Sequence, residues 1–427
     1  MIKLKKHKLQ EYFLLICLFL CVFNFYLPSI GPALYISIIM VVVYIIINIK
    51  LFVRYRGVIF KAYVSYIYIY CFPFLFLILI VAMRTILSGS EDISFFMLLC
   101  KVFVFGIVAS LFSVAIFISC KITSLSDVSS FFYKITLAQS VIIISAVLFP
   151  SFSEVIRLYQ NNGLNTSSLV VEGLRGVALS SMQFYSLACY FCIIIILLAN
   201  DFLKNKIRYL QTSILLLLMS ISSVFVSRTA ILGVLVFFLY TLNPFIRYGK
   251  KRSIAMALMF LTMVVIALLL SLVLFPEQVS LIREKVLPWA FELIYRYNET
   301  GSFSTASTDE LKSMYFPLKE ITLLIGDGRY AGDTLGTYYM GTDAGYMRPT
   351  LFGGVFLILT MFLIWVFWLR NTFYTEEGGI LTASLIILSL ILQYKGEFII
   401  TNYCTLVLLS ILLMTSLLLK HKAKEGI

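Results

Sequence analysis

Four short segments of this 427-residue chain carry arginines and acids suited to binding phosphate or accepting a proton. A guanidinium group is always charged and offers a planar fork of donors that matches phosphate oxygens. A carboxylate near a hydroxyl can act as a general base. The residues are Arg175 in LRGVALSS, Arg228 in VSRTA, Asp327 and Arg329 in GDGRY, and Asp343, Tyr346 and Arg348 in TDAGYMR.

Several of these residues also have a structural role that their position favours. Arg348 directly precedes an apolar run, where arginine commonly anchors a helix at the membrane interface. Asp327 stands between two glycines, as turn residues do, and Arg329 has loop acids with which to pair. Asp343 is suited to cap the following helix, because an acid gains from the dipole at a helix N-terminus. The sequence alone leaves the chemical and the structural roles open.

The composition of the whole chain is that of a polytopic membrane protein. Hydrophobic residues make up 61% and charged residues 13% of the sequence, whereas soluble domains carry about 25% charged residues. The net charge of +13 is spread between apolar runs, which is typical of membrane topology and argues against nucleic acid as a partner. The eight cysteines lie in or beside apolar runs, and both histidines, His7 and His421, lie in the charged tails. We expect no disulfide, no metal site and no cofactor.

Apolar runs of about 20 residues can cross a bilayer, and the sequence predicts about 12 such transmembrane helices. We therefore expect an all-α polytopic integral membrane protein with one large extracytoplasmic loop between spans 9 and 10. Residues 1–275 would hold spans 1 to 9, residues 276–348 the large loop, and residues 349–427 spans 10 to 12 and a cytoplasmic tail. The predicted spans cover residues 11–27, 32–49, 62–83, 95–118, 129–149, 177–198, 209–226, 229–246, 254–275, 349–369, 379–395 and 398–419.

Lysines and arginines orient these spans, since positive charges collect in cytoplasmic loops. The basic stretches KLKKHK, KLFVRYRGVIFK, KNKIR, RYGKKR and KHKAK fall on one side of a twelve-span chain, so both termini are expected in the cytoplasm. KNKIR and RYGKKR flank the apolar stretch that contains Arg228, so the chain must cross twice between them. A helical hairpin would then carry Arg228 at its tip, near the outer boundary. A guanidinium at that depth either lines a wet cavity or extends to lipid headgroups.

The predicted outer loop, residues 276–348, bears on the kind of substrate. Its first part, to about Glu299, favours one or two helices, and its later part is punctuated by glycines and loop-like. The glycine-rich GDGRYAG lacks the Lys-Ser/Thr ending of a nucleotide-binding loop. A site on this side has no access to ATP or nucleotide sugars, so its substrate must arrive already activated. In a membrane, such a substrate is lipid-linked.

The order of these motifs resembles that of a known family. RGVALSSMQFYSLA (175–188), SRTA (227–230), LIGDGRY (324–330) and TDAGYMRPTLFGGVF (342–356) follow one another as in the bacterial O-antigen and capsule polysaccharide polymerases of the Wzy type. These enzymes share a superfamily with the O-antigen ligases, and the resemblance covers roughly residues 150–370. It implies a GT-C-like, metal-independent glycosyltransferase of the bacterial inner membrane that acts on the periplasmic face.

By this resemblance the protein would join repeat units linked to undecaprenyl pyrophosphate, with one such lipid as donor and another as acceptor. Arg228 and Arg175 would hold the donor pyrophosphate, and Asp343, where the ligases carry a histidine, would act as the base. The lipid bilayer and a chain-length regulator are the further partners to expect. The remaining residues are expected to bind substrate: Arg329, Asp327, Tyr346 and Arg348. Rings for stacking on sugars are offered by four tyrosines, Tyr330, Tyr338, Tyr339 and Tyr346.

Two alternatives accompany this interpretation. An O-antigen ligase would transfer finished glycan to the lipid A core, but the absence of histidine outside the tails favours a polymerase. A lipid-linked oligosaccharide flippase, from a different functional class, would bury charges within many spans. The spans predicted here are almost uncharged, and transport does not explain the large outer loop.

Overall fold

Helices form nearly all the regular structure of the chain. The computed structural model describes residues 2–160, 175–182, 184–242, 250–334, 336–374 and 378–425. In chain order, the helices are α1 (Ile2–Phe23), α2 (Ala33–Ile47), α3 (Ile49–Arg54), α4 (Arg56–Tyr66), α5 (Phe72–Ser88), α6 (Ser94–Ser119), α7 (Leu125–Leu148), α8 (Pro150–Leu158), α9 (Phe184–Leu203), α10 (Tyr209–Val226), α11 (Ile231–Thr241), α12 (Lys250–Leu274), α13 (Pro276–Leu281), α14 (Leu287–Ala290), α15 (Glu292–Thr300), α16 (Ala306–Ser313), α17 (Glu320–Ile325), α18 (Met347–Leu369), α19 (Gly379–Lys395) and α20 (Tyr403–Glu425).

Short irregular elements complete the fold. Single π-helical turns follow α4 at Ile67–Cys71, α13 at Ile282–Val286 and α18 at Arg370–Tyr374. A 3₁₀ turn, Arg228–Ala230, joins α10 to α11. An antiparallel ribbon pairs β1 (Tyr26–Leu27) with β2 (Gly31–Pro32) between the first two helices.

Eight helical segments within the described residues are long and apolar enough to cross a membrane. Two of them, Arg56–Ser88 and Met347–Tyr374, include a π-helical turn; α2, α19 and the segment Arg228–Thr241 are apolar but shorter. In the segment Lys251–Leu274, no residue of the apolar 18-residue window is buried in the protein. Such an exposed apolar surface is suited to contact with lipid. The expected all-α membrane protein is confirmed at this level, while the number of twelve spans and their orientation stay predictions.

Most helix ends lie within a few residues of the predicted spans, and α10 and α19 match theirs at both ends. Span six was expected to begin at residue 177, but α9 begins only at Phe184. The Gln160 side chain binds the main-chain carbonyls of Gly176 and Ala178, which holds this stretch outside the helix. Span twelve was expected from residue 398, but α20 begins at Tyr403 because the main chain just before it is held by another side chain. That side chain is Gln393, whose amide oxygen accepts from the amides of Phe398 and Ile399.

The chain folds into two compact units, which we describe separately. The first contains Met1–Leu14, Val41–Val128 and Ala306–Ile427, and the second contains Leu15–Met40 and Ser129–Thr305. The predicted outer loop, residues 276–348, is thereby divided after Thr305. Its first part is helical over α13 to α15, as the sequence predicts, and the described residues of its later part form α16, α17, a 3₁₀ turn and the start of α18.

The core of the first unit is built on aromatic side chains. α20 packs against α4 and α6, and α18 packs against α5 and α17. The ring of Tyr70 lies 4.9 Å from that of Trp368 and 5.0 Å from that of Tyr66, measured between centroids. Both indole nitrogens have acceptors, since Trp368 donates to the Ile69 carbonyl and Trp365 to the Ser389 hydroxyl. The two indole N–H groups are thus satisfied within this packing, whereas the Tyr70 hydroxyl is buried without a hydrogen-bond partner among the described residues.

One end of the first unit is fixed by an interlock of two glycine-containing segments. Gly354 breaks α18 with φ +72° and ψ −173°, and Gly326 ends α17 with φ +74° and ψ 178°, a region that only glycine adopts readily. The amide of Asp327 donates to the Leu351 carbonyl at 2.6 Å, and the amide of Gly328 donates to the Phe352 carbonyl at 3.0 Å. We call this arrangement, which ties the GDG turn to the break in α18, the glycine interlock.

The second unit is centred on α9, which is buried along nearly its whole length. α10 and α11 both pack against it. The chain leaves the α-helical conformation between them, where Ser227 is extended with φ −166° and ψ 142°. This break lies where the sequence predicts the tip of a hairpin, and Arg228 lies on the 3₁₀ turn that follows it; the reversal across a membrane stays a prediction. Ser227 also accepts a hydrogen bond from the Thr229 amide and so caps the 3₁₀ turn.

Candidate functional sites

Arg175 and Arg228 converge on one indole ring in the second unit. The central guanidinium carbon of Arg175 lies 4.6 Å from the centroid of the Trp289 ring, and that of Arg228 lies 5.0 Å from it. Arg175 also stacks on Phe184, at 5.1 Å. Because both distances are measured to the same ring, the separation of the two guanidinium carbons cannot exceed the sum of the two distances. We call Arg175 and Arg228, which share the ring of Trp289, the arginine pair.

Three segments that are far apart in sequence position the arginine pair: the stretch around Arg175, the 3₁₀ turn at Arg228 and α14, which carries Trp289. The amide of Gly176 donates to the Phe225 carbonyl at 3.1 Å, which holds Arg175 beside the end of α10. Arg228 follows that end directly, on the 3₁₀ turn. Its Nη1 atom donates to the main-chain carbonyl of Trp289 at 3.1 Å, so the same residue supports the guanidinium with both its ring and its backbone.

The charges of this site favour an anion. Burial lowers the pKa of Arg175, and the neighbouring Arg228 lowers it further, because each positive charge opposes the other. Glu292 forms an ion pair with Arg228, and the two side chains are only 20% and 17% exposed. Within the described residues Arg175 makes no ion pair, and its Nε atom is buried without a hydrogen-bond partner. Among the described residues no carboxylate compensates the charge of Arg175, and a phosphate group would suit that role.

Arg348 forms the centre of a second cluster, which lies in the first unit. Its Nη1 atom donates to the carboxylate of Glu397, and the two side chains are 12% and 11% exposed. Its guanidinium carbon lies 3.7 Å from the centroid of the Tyr330 ring and 4.3 Å from that of Tyr338. The Tyr330 hydroxyl donates to the same carboxylate. Arg348 is therefore more than an interfacial anchor, since a buried ion pair and two rings enclose it.

The backbone of this cluster is held by Asp92 from another loop. Its carboxylate accepts from the amides of Tyr330 and Ala331. Burial by itself would raise the pKa of Asp92, but hydrogen bonds from Ser94 and from these two amides lower it below its usual range. In Glu397 the balance is reversed, because burial raises its pKa more than Arg348 and Tyr330 lower it.

Asp343 lies close to this cluster with its carboxylate at the surface. Removal of water by the surrounding loops raises its pKa, the neighbouring Glu310 raises it further, and Arg348 opposes both. No side chain or amide among the residues described elsewhere in the chain donates a hydrogen bond to this carboxylate. A raised pKa makes the carboxylate a stronger base than an unperturbed aspartate. The helix-cap role is not observed, since α18 begins at Met347 without a side-chain cap.

The other three expected residues make mainly structural contacts. Asp327 accepts a hydrogen bond from the Thr322 hydroxyl at 2.7 Å, within the turn that follows α17. Arg329 is exposed and forms an ion pair with Asp333. Tyr346 donates its hydroxyl to the Leu390 carbonyl at 2.9 Å. Tyr346 also lines an apolar cavity of about 210 Å³ between α18 and α19.

Of the seven expected site residues, the structure brings Arg175 and Arg228 together in the second unit. Asp343 and Arg348 are neighbours in the first, and Arg329 is turned to its own loop acid. Three important contributors were missed by the sequence reasoning: Trp289, Glu397 and Asp92.

The described residues contain no group of three His, Cys, Asp or Glu side chains placed to hold a metal ion. No protein-family model, no curated protein and no solved structure matches this chain.

Proposed function

We propose that this protein is a glycosyltransferase that polymerises lipid-linked saccharide repeat units. The observation that carries the proposal is the arginine pair, in which two guanidinium groups share one indole and Arg175 has no carboxylate partner among the described residues. An always-charged pair of donor forks suits a pyrophosphate better than any neutral ligand. The donor would be a glycan on undecaprenyl pyrophosphate, the acceptor a second such lipid, and the location the bacterial inner membrane.

The proposed step is a displacement at the anomeric carbon of the donor. The acceptor hydroxyl oxygen attacks this carbon, the bond from the carbon to the pyrophosphate oxygen breaks, and the electron pair leaves with the lipid pyrophosphate. Negative charge therefore grows on the leaving group in the transition state. Arg175 and Arg228 would stabilise that charge, with about 2–4 kcal/mol from each preorganised donor group.

Asp343 would take the proton of the attacking hydroxyl in this step. Its carboxylate is at the surface and has a raised pKa, so it can exchange a proton nearer to neutral pH than a free aspartate does. Arg348, held by Glu397, lies near enough to oppose the rise in pKa and so to set its extent. The lipid bilayer and a chain-length regulator remain the further proposed partners.

An assay with purified protein in lipid nanodiscs tests this function. The substrate is the undecaprenyl-linked repeat unit extracted from cells that make the protein. We expect a ladder of products that grow by one repeat unit, and its loss in Arg175→Ala and Arg228→Ala at unchanged abundance. Movement of the lipid-linked glycan across liposomes without any ladder would establish the flippase alternative instead. Transfer to a lipid A core acceptor would establish the ligase.

A further inference from the structure

Two tyrosine rings lie parallel at the surface of the first unit. The ring centroids of Tyr315 and Tyr394 are 4.9 Å apart, and the ring planes are inclined by only 8°. Tyr394 keeps 48% of its surface exposed although it is stacked. None of the hydrogen bonds that hold Arg348 involves either ring, so this pair is a separate feature of the unit.

The hydroxyl groups in this region bind the main chain, which fixes the rings. Tyr315 donates to the carbonyl of Tyr394 at 2.6 Å, and Tyr346 donates to the carbonyl of Leu390 at 2.9 Å. Burial raises the pKa of Tyr315, so its hydroxyl stays protonated as a donor. Tyrosines that anchor a protein at a membrane interface direct their hydroxyls to water and headgroups. The arrangement here instead presents ring faces.

Carboxylates border these rings. The Thr342 hydroxyl donates to the Met314 carbonyl at 3.2 Å, which holds Asp343 alongside Tyr315. The next residues pack tightly on the end of α19, where a Cβ atom on Gly345 would lie 2.0 Å from the Gln393 carbonyl oxygen. Asp343 and both rings therefore share one surface.

The charges of this surface distinguish between two kinds of ligand. Glu310 lies close enough to Asp343 to raise its pKa, while Arg348, which is itself paired with Glu397, and Lys395 lower it. An anionic lipid headgroup would meet both carboxylates. The hydroxyls of a neutral sugar would instead donate hydrogen bonds to them, while the apolar face of the sugar ring would stack on the tyrosine.

We propose that Tyr394, stacked on Tyr315, and Asp343 form a binding platform for a sugar ring of the acceptor glycan. The inference rests on the proposed function, since it assigns the acceptor of that reaction to this surface. The sugar ring covers the exposed face of Tyr394, and one of its hydroxyls donates to the Asp343 carboxylate. The same hydrogen bond holds the attacking hydroxyl at the proposed base.

The test is a direct binding measurement that requires no turnover. The probe is the repeat-unit oligosaccharide released by mild acid from the lipid-linked saccharides of cells that make the protein, labelled at its reducing end. We expect Tyr394→Ala to weaken binding to the purified protein about tenfold, because a stacked ring face is lost. Tyr394→Phe, which keeps the ring, should stay within about twofold. Tyr374→Ala is the matched control, since Tyr374 belongs to the same unit and is 54% exposed.

Each outcome decides one of the two proposals. Unchanged binding by Tyr394→Ala, an equal loss in Tyr374→Ala, or no binding by the wild type would overturn the platform. Binding by the wild type without any polymer in the nanodisc assay would support the platform and contradict the polymerase. Polymer formation by Tyr394→Ala with an unchanged KM for the acceptor would contradict the platform and leave the polymerase intact.

Discussion

Replacement of Arg228 by lysine tests the role of the arginine pair most directly. Lysine keeps the positive charge but loses the planar fork and most of the stacking on Trp289, which lies 5.0 Å from the guanidinium. A cation over an aromatic ring contributes about 0.5–2 kcal/mol, and a hydrogen bond to a charged group about 1.5–3 kcal/mol. The side chain is only 17% exposed, so solvent screens these interactions little.

We therefore expect Arg228→Lys to lose about 2 kcal/mol of transition-state stabilisation, which is roughly a 30-fold slower reaction. Arg228→Ala, which removes the donor group altogether, should be slower by about 100- to 1,000-fold. The measurement is the initial rate of chain extension by purified protein in nanodiscs, at saturating donor and equal protein concentration.

Arg252→Lys provides a matched control in the same unit. Arg252 also lies between two rings, 4.4 Å from the centroid of Phe202 and 4.9 Å from that of Tyr209, and donates to the Ile207 carbonyl. Its stretch of sequence is predicted on the cytoplasmic side, away from the proposed reaction. An Arg228→Lys rate within threefold of the wild type, or an equal loss of rate in Arg252→Lys, would refute the assignment of the pyrophosphate to the arginine pair.

Three further predictions concern the first unit. Asp343→Asn should slow extension about 100-fold. It should also abolish the decline of the wild-type rate as pH falls through the raised pKa of Asp343, where the base becomes protonated; a rate profile that keeps this limb would exclude Asp343 as the base. Gly326→Ala should lower the melting temperature much more than Gly341→Ala, since both have positive φ but only the Cβ atom at Gly326 would clash, 2.4 Å from the Phe352 carbonyl oxygen. Glu397→Gln should lower the free energy of unfolding by about 3 kcal/mol by leaving Arg348 unpaired, and Arg348→Met should restore most of it in the double variant; an additive loss in denaturant unfolding would contradict the pairing.

Helices and their breaks were predictable from local properties of the sequence. The apolar runs predicted α10 and α19 at their observed ends, and the basic flanks of the Arg228 stretch predicted an interruption of the helix near Ser227, which is extended. Both predictions depend on residues within one or two turns of the feature, or on charge counted along the chain. The starts of α9 and α20 were not predictable in this way. They depend on the Gln160 side chain, which donates to main-chain carbonyls, and on the Gln393 side chain, which accepts from main-chain amides, and no periodic pattern in the sequence indicates these contacts.

The partners of the candidate site residues were harder to anticipate. Arg228 meets Trp289 across 61 positions, and Arg348 meets Glu397 across 49. Residue type identified the arginines, since a guanidinium in an apolar stretch needs an explanation. Nothing in the sequence selected one carboxylate among several, although Glu397 is conspicuous as the lone acid in the two-residue gap between two predicted spans. Burial and pairing are properties of the tertiary structure, so the raised pKa of Asp343 was also beyond sequence reasoning.

The glycine interlock couples the bend in α18 to the position of the GDG turn, so that neither can change without the other. The Leu351 and Phe352 carbonyls accept hydrogen bonds from the amides of Asp327 and Gly328. α18 therefore cannot straighten at Gly354 unless both hydrogen bonds break. Arg84 reinforces the arrangement by donating to the carbonyl of Gly326. Hydrogen–deuterium exchange should consequently show the same rate of opening for the amides of Asp327 and Gly328, because both hydrogen bonds break in one cooperative step.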